Sequence, residues 1–209
     1  PLLMEAHAKA LGVLTCKDAT SSDLETQAEC ALFLARLTLH PHADARVRSD
    51  ETFEALVELA KAVVDARAPV AADVVRLLGA AVAETNVDDA VVLQLAGVAL
   101  SPFERSGASA AAASTASRRR GNGSGHGSVA ATHAVERACL DALCSLAAKH
   151  EPHRALLLDD ALSHMLSAAD EPPTPTFVVE RFAGHGADVS VEPHTALVLS
   201  LAQAAALGS

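Results

Sequence analysis

The side chains able to do chemistry in this sequence sit in short clusters. His40-Pro41-His42 and His150-Glu151-Pro152-His153 each place two imidazoles close together. Such pairs serve as metal ligands once a third and fourth ligand arrive from elsewhere. No Cys or acidic cluster is placed to supply them, so they read as solvent-exposed loop histidines at helix C-termini, where a partly cationic ring suits the dipole. Asp88-Asp89 and Asp159-Asp160 are paired carboxylates. Paired carboxylates can do acid–base work, but at a helix start they cap and complement the dipole without needing anything else, and that reading is adopted. Gly121-Asn122-Gly123-Ser124-Gly125-His126-Gly127 has the glycine density of a phosphate-cradling loop. It lacks the preceding strand and the Lys-Ser/Thr of a P-loop. Arg118-Arg119-Arg120 offers an address signal or a docking spot for an acidic partner, weighed against a solvated linker. No Ser/His/Asp or Cys/His set is recognisable, so the chain reads as non-enzymatic, with no cofactor and no metal.

Charge and composition narrow the partners. The formal charge is −10, which repels phosphate backbones and argues against nucleic acid. The five Phe, with no Trp or Tyr, also leave little for base stacking. Half the residues are apolar and a fifth are charged, ample for a core of closely packed helices in one domain or one array of repeats. Cys16, Cys30, Cys139 and Cys144 fall inside apolar helical patterns rather than at framework spacing, which predicts buried free thiols in a reducing, intracellular compartment. No apolar run reaches membrane-spanning length. The start Pro1-Leu2-Leu3-Met4-Glu5 lacks a basic n-region, and a chain opening on Pro is expected to be a piece of something longer.

The elements that must position these groups are helical. Leu2, Leu3, Ala6, Ala10, Leu11 and Leu14 recur at helical spacing. Thr20-Ser21-Ser22-Asp23 then breaks the pattern, and a helix is predicted from about Leu24 to Leu39, stopping near Pro41. A short turn is expected over 43–48. Asp50 is expected to cap a helix striped by Phe53, Leu56, Val57, Leu59, Ala60, Val63 and Val64 and broken at Pro69. Val74–Val82 makes another helix; Val91–Ala99 makes one more, stopping at Ser101-Pro102. From Arg105 to Ser128 the periodicity disappears into Gly, Ser and Ala, predicting a flexible insert. Helical patterns return over 129–149 and 154–169. Pro172-Pro173-Thr174-Pro175 breaks the chain, Phe177–Val191 is the one strand-like stretch and suits a small hairpin, and Pro193 opens a last helix through Leu207. Glu54, Glu58 and Lys61 form an exposed stripe with one weak ion pair.

Two of these stretches can be overlaid. Glu29–His40, then Arg46, then Phe53–Ala60 runs parallel to Ala138–Ala147, then Arg154, then Leu162–Ala169. A repeated helical unit cannot bury its apolar face alone and stacks on its neighbours. Arg46-Val47-Arg48, Phe53–Leu59 and Val74–Val82 resemble one complete armadillo repeat, with its short first helix and two longer ones, and the other elements fall into partial or split copies; the HEAT repeat is the structural rival. The resemblance implies an all-α, right-handed α–α superhelix of about four repeats (1–40, 41–86, 87–150 and 151–209). Two loop insertions interrupt it: the Gly/Ser/Ala segment 105–128 and the Pro-rich segment 170–191.

In this family the third helices line a concave groove that holds extended peptides or partner helices. Here those helices would be Leu24–His40, Ala72–Ala83, Glu136–Ala147 and Pro193–Leu207. The Trp-like positions of the nuclear-import adaptors read Leu32, Val75 or Arg76, Asp141, and Leu197 or Leu199. The Asn-like positions read Arg36, Gly79 or Ala80, Ser145, and Leu201 or Gln203. With no Trp in the chain and no Asn at these positions, nuclear-signal binding is not carried over. The expected contact residues are Arg36, Arg76, Asp141, Ser145 and Gln203, polar positions on otherwise apolar helices, in a protein-binding module. The other expectations are a structural scaffold or spacer within a larger complex, and a chaperone cofactor of the armadillo type. Self-association through uncapped end helices is a further expectation.

Overall fold

The computed structural model describes residues 2–15, 21–117, 126–168, 177–179 and 189–208. They form eight helices: α1 (Leu2–Leu14), α2 (Ser21–Thr38), α3 (Asp50–Asp65), α4 (Ala71–Glu84), α5 (Asp89–Ser117), α6 (His126–Lys149), α7 (Arg154–Ala168) and α8 (Pro193–Leu207). A single 3-10 turn, Glu151–His153, leads into α7. Two three-residue strands, β1 (Phe177–Val179) and β2 (Val189–Val191), pair antiparallel with Phe177 opposite Val191. The hairpin expected over 177–191 is therefore present; its glycines lie outside the described residues.

α3 shows how local sequence makes an element. Ser49, in extended conformation, accepts the Thr52 amide at 3.4 Å and so satisfies one of the orphan donors at the helix start. Phe53, Leu56, Val57, Ala60, Val63 and Val64 then recur on one face and are buried. The helix ends in a Schellman pattern: the Ala68 amide donates to Val63 O and the Arg67 amide to Val64 O. Arg67 holds the left-handed position, φ 51°, that glycine normally takes. The expected cap Asp50 is corrected to Ser49; Asp50 is the first helical residue and its Oδ1 accepts the Asp88 amide at 3.2 Å.

Consecutive helices pack as pairs, α1 on α2, α3 on α4, α5 on α6 and α7 on α8. Laterally α2, α4, α6 and α8 lie side by side in one layer, and α1, α3, α5 and α7 in the other. The core between the layers includes Leu34, Phe53, Leu56, Leu78, Leu95, Phe103, Leu143, Leu146, Leu157 and Leu197. Among the described residues α4 and α6 make the most extensive contact, because Gly79 of α4 meets Ala142 of α6 and lets the two backbones approach.

Two sequence expectations fail for identifiable reasons. The helix expected to stop at Ser101-Pro102 continues to Ser117, and α6 begins at His126, so residues 105–117 and 126–128 of the expected insert are helical. Pro102 has no amide to bond Val98 O; the Ser101 hydroxyl donates to that carbonyl instead, at 2.9 Å. Asp159-Asp160 lies well inside α7 rather than at a helix start. Pro152, in the first turn, and the 3-10 segment start that helix earlier. The runs Arg118–Arg120 and Gly121–Gly125, as well as Cys16, lie outside the described residues.

Candidate protein-binding face

The layer of α2, α4, α6 and α8 turns its solvent-exposed stripes away from the other layer. On α2 the stripe reads Glu25, Glu29, Phe33 and Arg36; on α4, Asp73 and Arg76; on α6, Arg137 and Asp141; and on α8, Leu199 and Ala202, with Gln203 half-buried. Helical period puts these residues in line because i, i+3, i+4 and i+7 share a side. The stripe mixes both signs of charge with exposed carbon.

Three of the five expected contact residues come together at the α4–α6 seam. Arg76 Nη1 pairs with Asp73 Oδ1 at 3.0 Å along its own helix, both side chains about half exposed. Arg76 also acts on Asp141 across the seam. Partial burial pushes the Asp141 carboxyl up, and the guanidinium groups of Arg76 and Arg137 pull the other way. Ser145 lies one turn further on, its hydroxyl donating to Asp141 O at 2.9 Å. Arg36 and Gln203 stand apart on the flanking helices, and among the described residues neither makes a hydrogen bond or ion pair with the other three. Phe33 is absent from the expected contact residues, and Leu199 figures among the expectations only as one of two alternatives for a Trp-like position; they are 39% and 61% exposed and so present apolar surface on the same stripes. Their spacing was the available signal: Phe33 is three before Arg36 and Leu199 four before Gln203.

Beyond Ser145 the seam opens into a shallow depression of about 230 Å³, lined by Ala80, Ala83, Glu84, Ser145, Ala148 and Lys149. Lys149 Nζ reaches Glu84 Oε1 at 3.1 Å, closing its far edge. This is below the roughly 300 Å³ at which small-molecule sites begin.

The loop groups turn out to be structural. Arg154 donates to Ala147 O at 2.7 Å, Ala148 O at 2.9 Å and Gly208 O at 2.7 Å, tying the end of α6 to the end of the described chain. Arg48 does the same for α2, donating to Thr38 O and His40 O, both at 2.9 Å. The counterpart of Arg154 is thus Arg48 rather than the expected Arg46, which is engaged with Asp44 in the loop. The histidines differ too. His40 and His42 are exposed, as expected. His150 and His153 are not: His150 Nε2 donates to Val82 O at 3.2 Å and His153 Nε2 to Asp89 Oδ1 at 2.9 Å. Asp88 behaves as a cap, accepting the Ala90 amide at 2.8 Å. Glu54, Glu58 and Lys61 are exposed, and the expected ion pair among them does not form. Among the described residues no three His, Cys, Asp or Glu side chains are grouped to hold a metal ion, and no helix is long and apolar enough to cross a membrane.

Comparison with protein-family models, with curated proteins and with solved structures gives no match.

Proposed function

We propose that the chain is a non-enzymatic protein–protein interaction module, an armadillo-like right-handed α–α superhelix that holds an extended peptide or a partner helix along α2, α4, α6 and α8. The observation that supports this is the α4–α6 seam, where Arg76, Asp141 and Ser145 lie on adjacent helices above a small apolar depression. Affinity would come from a few anchors in shaped sites, with mixed charge fixing orientation. Binding is tested by a lysate pull-down with mass spectrometry, comparing the wild type with Arg36→Glu/Asp141→Lys after circular dichroism shows equal helicity. A partner retained by the wild type and lost by the variant supports the reading; identical partner sets overturn it.

A second reading, a scaffold or spacer within a larger assembly, is favoured by a different observation. The outermost helices carry exposed leucines, Leu2 at 82% and Leu3 at 50% on α1 and Leu207 at 75% on α8. Such apolar ends are suited to stacking against further helices. Concentration-dependent association that leaves the partner set of the Arg36→Glu/Asp141→Lys variant unchanged would favour it.

A further inference from the structure

We infer that the depression at the C-terminal end of the α4–α6 seam takes one branched aliphatic side chain of an extended partner segment, with a Lys or Arg two or three residues further on seated at Glu84. This rests on the binding-face reading and specifies its partner.

The hollow has a physical origin. At the waist, Gly79 and Ala142 bring the helices so close that nothing fits between them. One turn on, the facing residues are Ala80, Ala83, Ser145 and Ala148, whose side chains are too short to fill the seam. Ser145 commits its hydroxyl proton to Asp141 O and so offers a ligand no donor. What remains is a carbon-lined site sized for a single side chain, too small for a cofactor.

Charge decides the neighbouring residue. Glu84 and Lys149 are 63% and 54% exposed, so their ion pair is weak and exchangeable. The negative ends of α4 and α6 both point to this edge. At α6 it is already answered, because Arg154 holds the Ala147 and Ala148 carbonyls. At α4 the Val82 carbonyl is bonded by the His150 ring rather than by a guanidinium, and the negative charge is reinforced by Glu84 itself, the last residue of the helix. A cation on the partner therefore fits best beside Glu84, displacing Lys149, and an extended strand advancing about 3.3 Å per residue spans from hollow to rim in two or three residues.

The test selects binders from a phage-displayed library of random short peptides on the intact chain. Enriched peptides are expected to share Leu, Ile or Val with a Lys or Arg two or three positions away. Filling the hollow with Ala83→Phe, or independently with Ala80→Leu, should weaken them about tenfold or more, as for excluding one aliphatic side chain from its site; circular dichroism confirms that each variant is folded. The exchange Glu84→Lys/Lys149→Glu keeps the ion pair but reverses it, and should replace the basic residue by an acidic one in a repeated selection. Peptides that lack the aliphatic–basic spacing, or that ignore both hollow-filling variants, overturn the inference. If such peptides still lose binding to Arg36→Glu/Asp141→Lys, the binding-face reading stands without it; if no peptide is enriched, both fall.

Discussion

Gly79 and Ala142 meet so closely across the α4–α6 seam that a β-carbon on Gly79 would lie 2.6 Å from Ala142 Cβ and 2.9 Å from its Cα. Real β-carbons do not approach to that distance, so any side chain there must push the helices apart. Because α4–α6 is the broadest helix contact among the described residues and carries Arg76, Asp141 and the depression, this one contact sets both stability and the geometry of the face.

Gly79→Ala should therefore destabilise the fold despite alanine's better helix propensity. Overpacking costs about 1–3 kcal/mol, and the propensity gain returns about 1. A net loss near 1 kcal/mol lowers Tm by about 2–4 °C in a domain of this size. Ala142→Gly in the same chain should restore part of the loss, a coupling read from a double-mutant cycle in urea. An unchanged or raised Tm for Gly79→Ala would show that the seam can relax freely.

Arg154→Met should loosen the end of the chain. It keeps much of the aliphatic stem and removes the guanidinium that serves Ala147 O, Ala148 O and Gly208 O. With the carbonyls partly reachable by water, a loss of about 1–3 kcal/mol follows. Arg154→Lys should recover little, because an ammonium lacks the planar fork that reaches several acceptors at once. Hydrogen exchange checks the location: faster exchange should concentrate in α8 and the end of α6. Full rescue by Lys would sink the multiple-acceptor explanation.

His7 should give the fold a pH dependence. It is 6% exposed, and its Nε2 lies 3.1 Å from Thr52 Oγ1, which in turn lies 3.0 Å from Ser49 Oγ at the α3 cap. Burial pushes its pKa below 6.5; Glu51 and Asp44 raise it, and Arg46 lowers it, without reversing the shift. The folded state then binds the proton less well than the unfolded state, so His7's contribution is complete above pH 6.5 and falls away as the pH drops below it. Urea titrations between pH 8 and pH 5 should show wild type losing more stability than His7→Gln. Equal slopes would remove His7 as the cause.

Cys30, Cys139 and Cys144 should be poor nucleophiles in the native chain. Burial pushes the thiols of Cys139 and Cys144 up to about 12 and also raises Cys30; Glu136, Asp141 and Glu29 respectively add to it. At pH 8 only about 10⁻⁴ of a thiol with such a pKa is thiolate, the reactive form. Iodoacetamide labelling followed by peptide mass spectrometry should leave Cys139 and Cys144 unmodified until denaturant is added. Rapid native labelling at Cys139, which is fully buried, would show that α6 opens readily.

The sequence by itself determined the helices and most of their limits, because those depend on contacts within a few residues. The apolar period of Phe53–Val64 gives α3, Pro193 starts α8, and the helix expected from about Leu24 to Leu39 is α2, which starts earlier, at Ser21 inside the expected polar break, and ends at Thr38. It also made the all-helical character legible, along with the strand-like stretch of the small hairpin. It misjudged places where a distant or unusual partner decides. Pro102 reads as a stop, yet the Ser101 hydroxyl takes the carbonyl that Pro102 abandons and the helix runs on. His150 and His153 read as solvated, yet they bond Val82 O and Asp89, 68 and 64 residues away. The approach of the Arg76 charge to Asp141 and the hollow beyond it exist only because α4 and α6 touch at Gly79 and Ala142. Periodicity says which side of a helix is apolar; it carries no information about which residue on a neighbouring helix will be small enough to let the two backbones meet, and that choice built the candidate site.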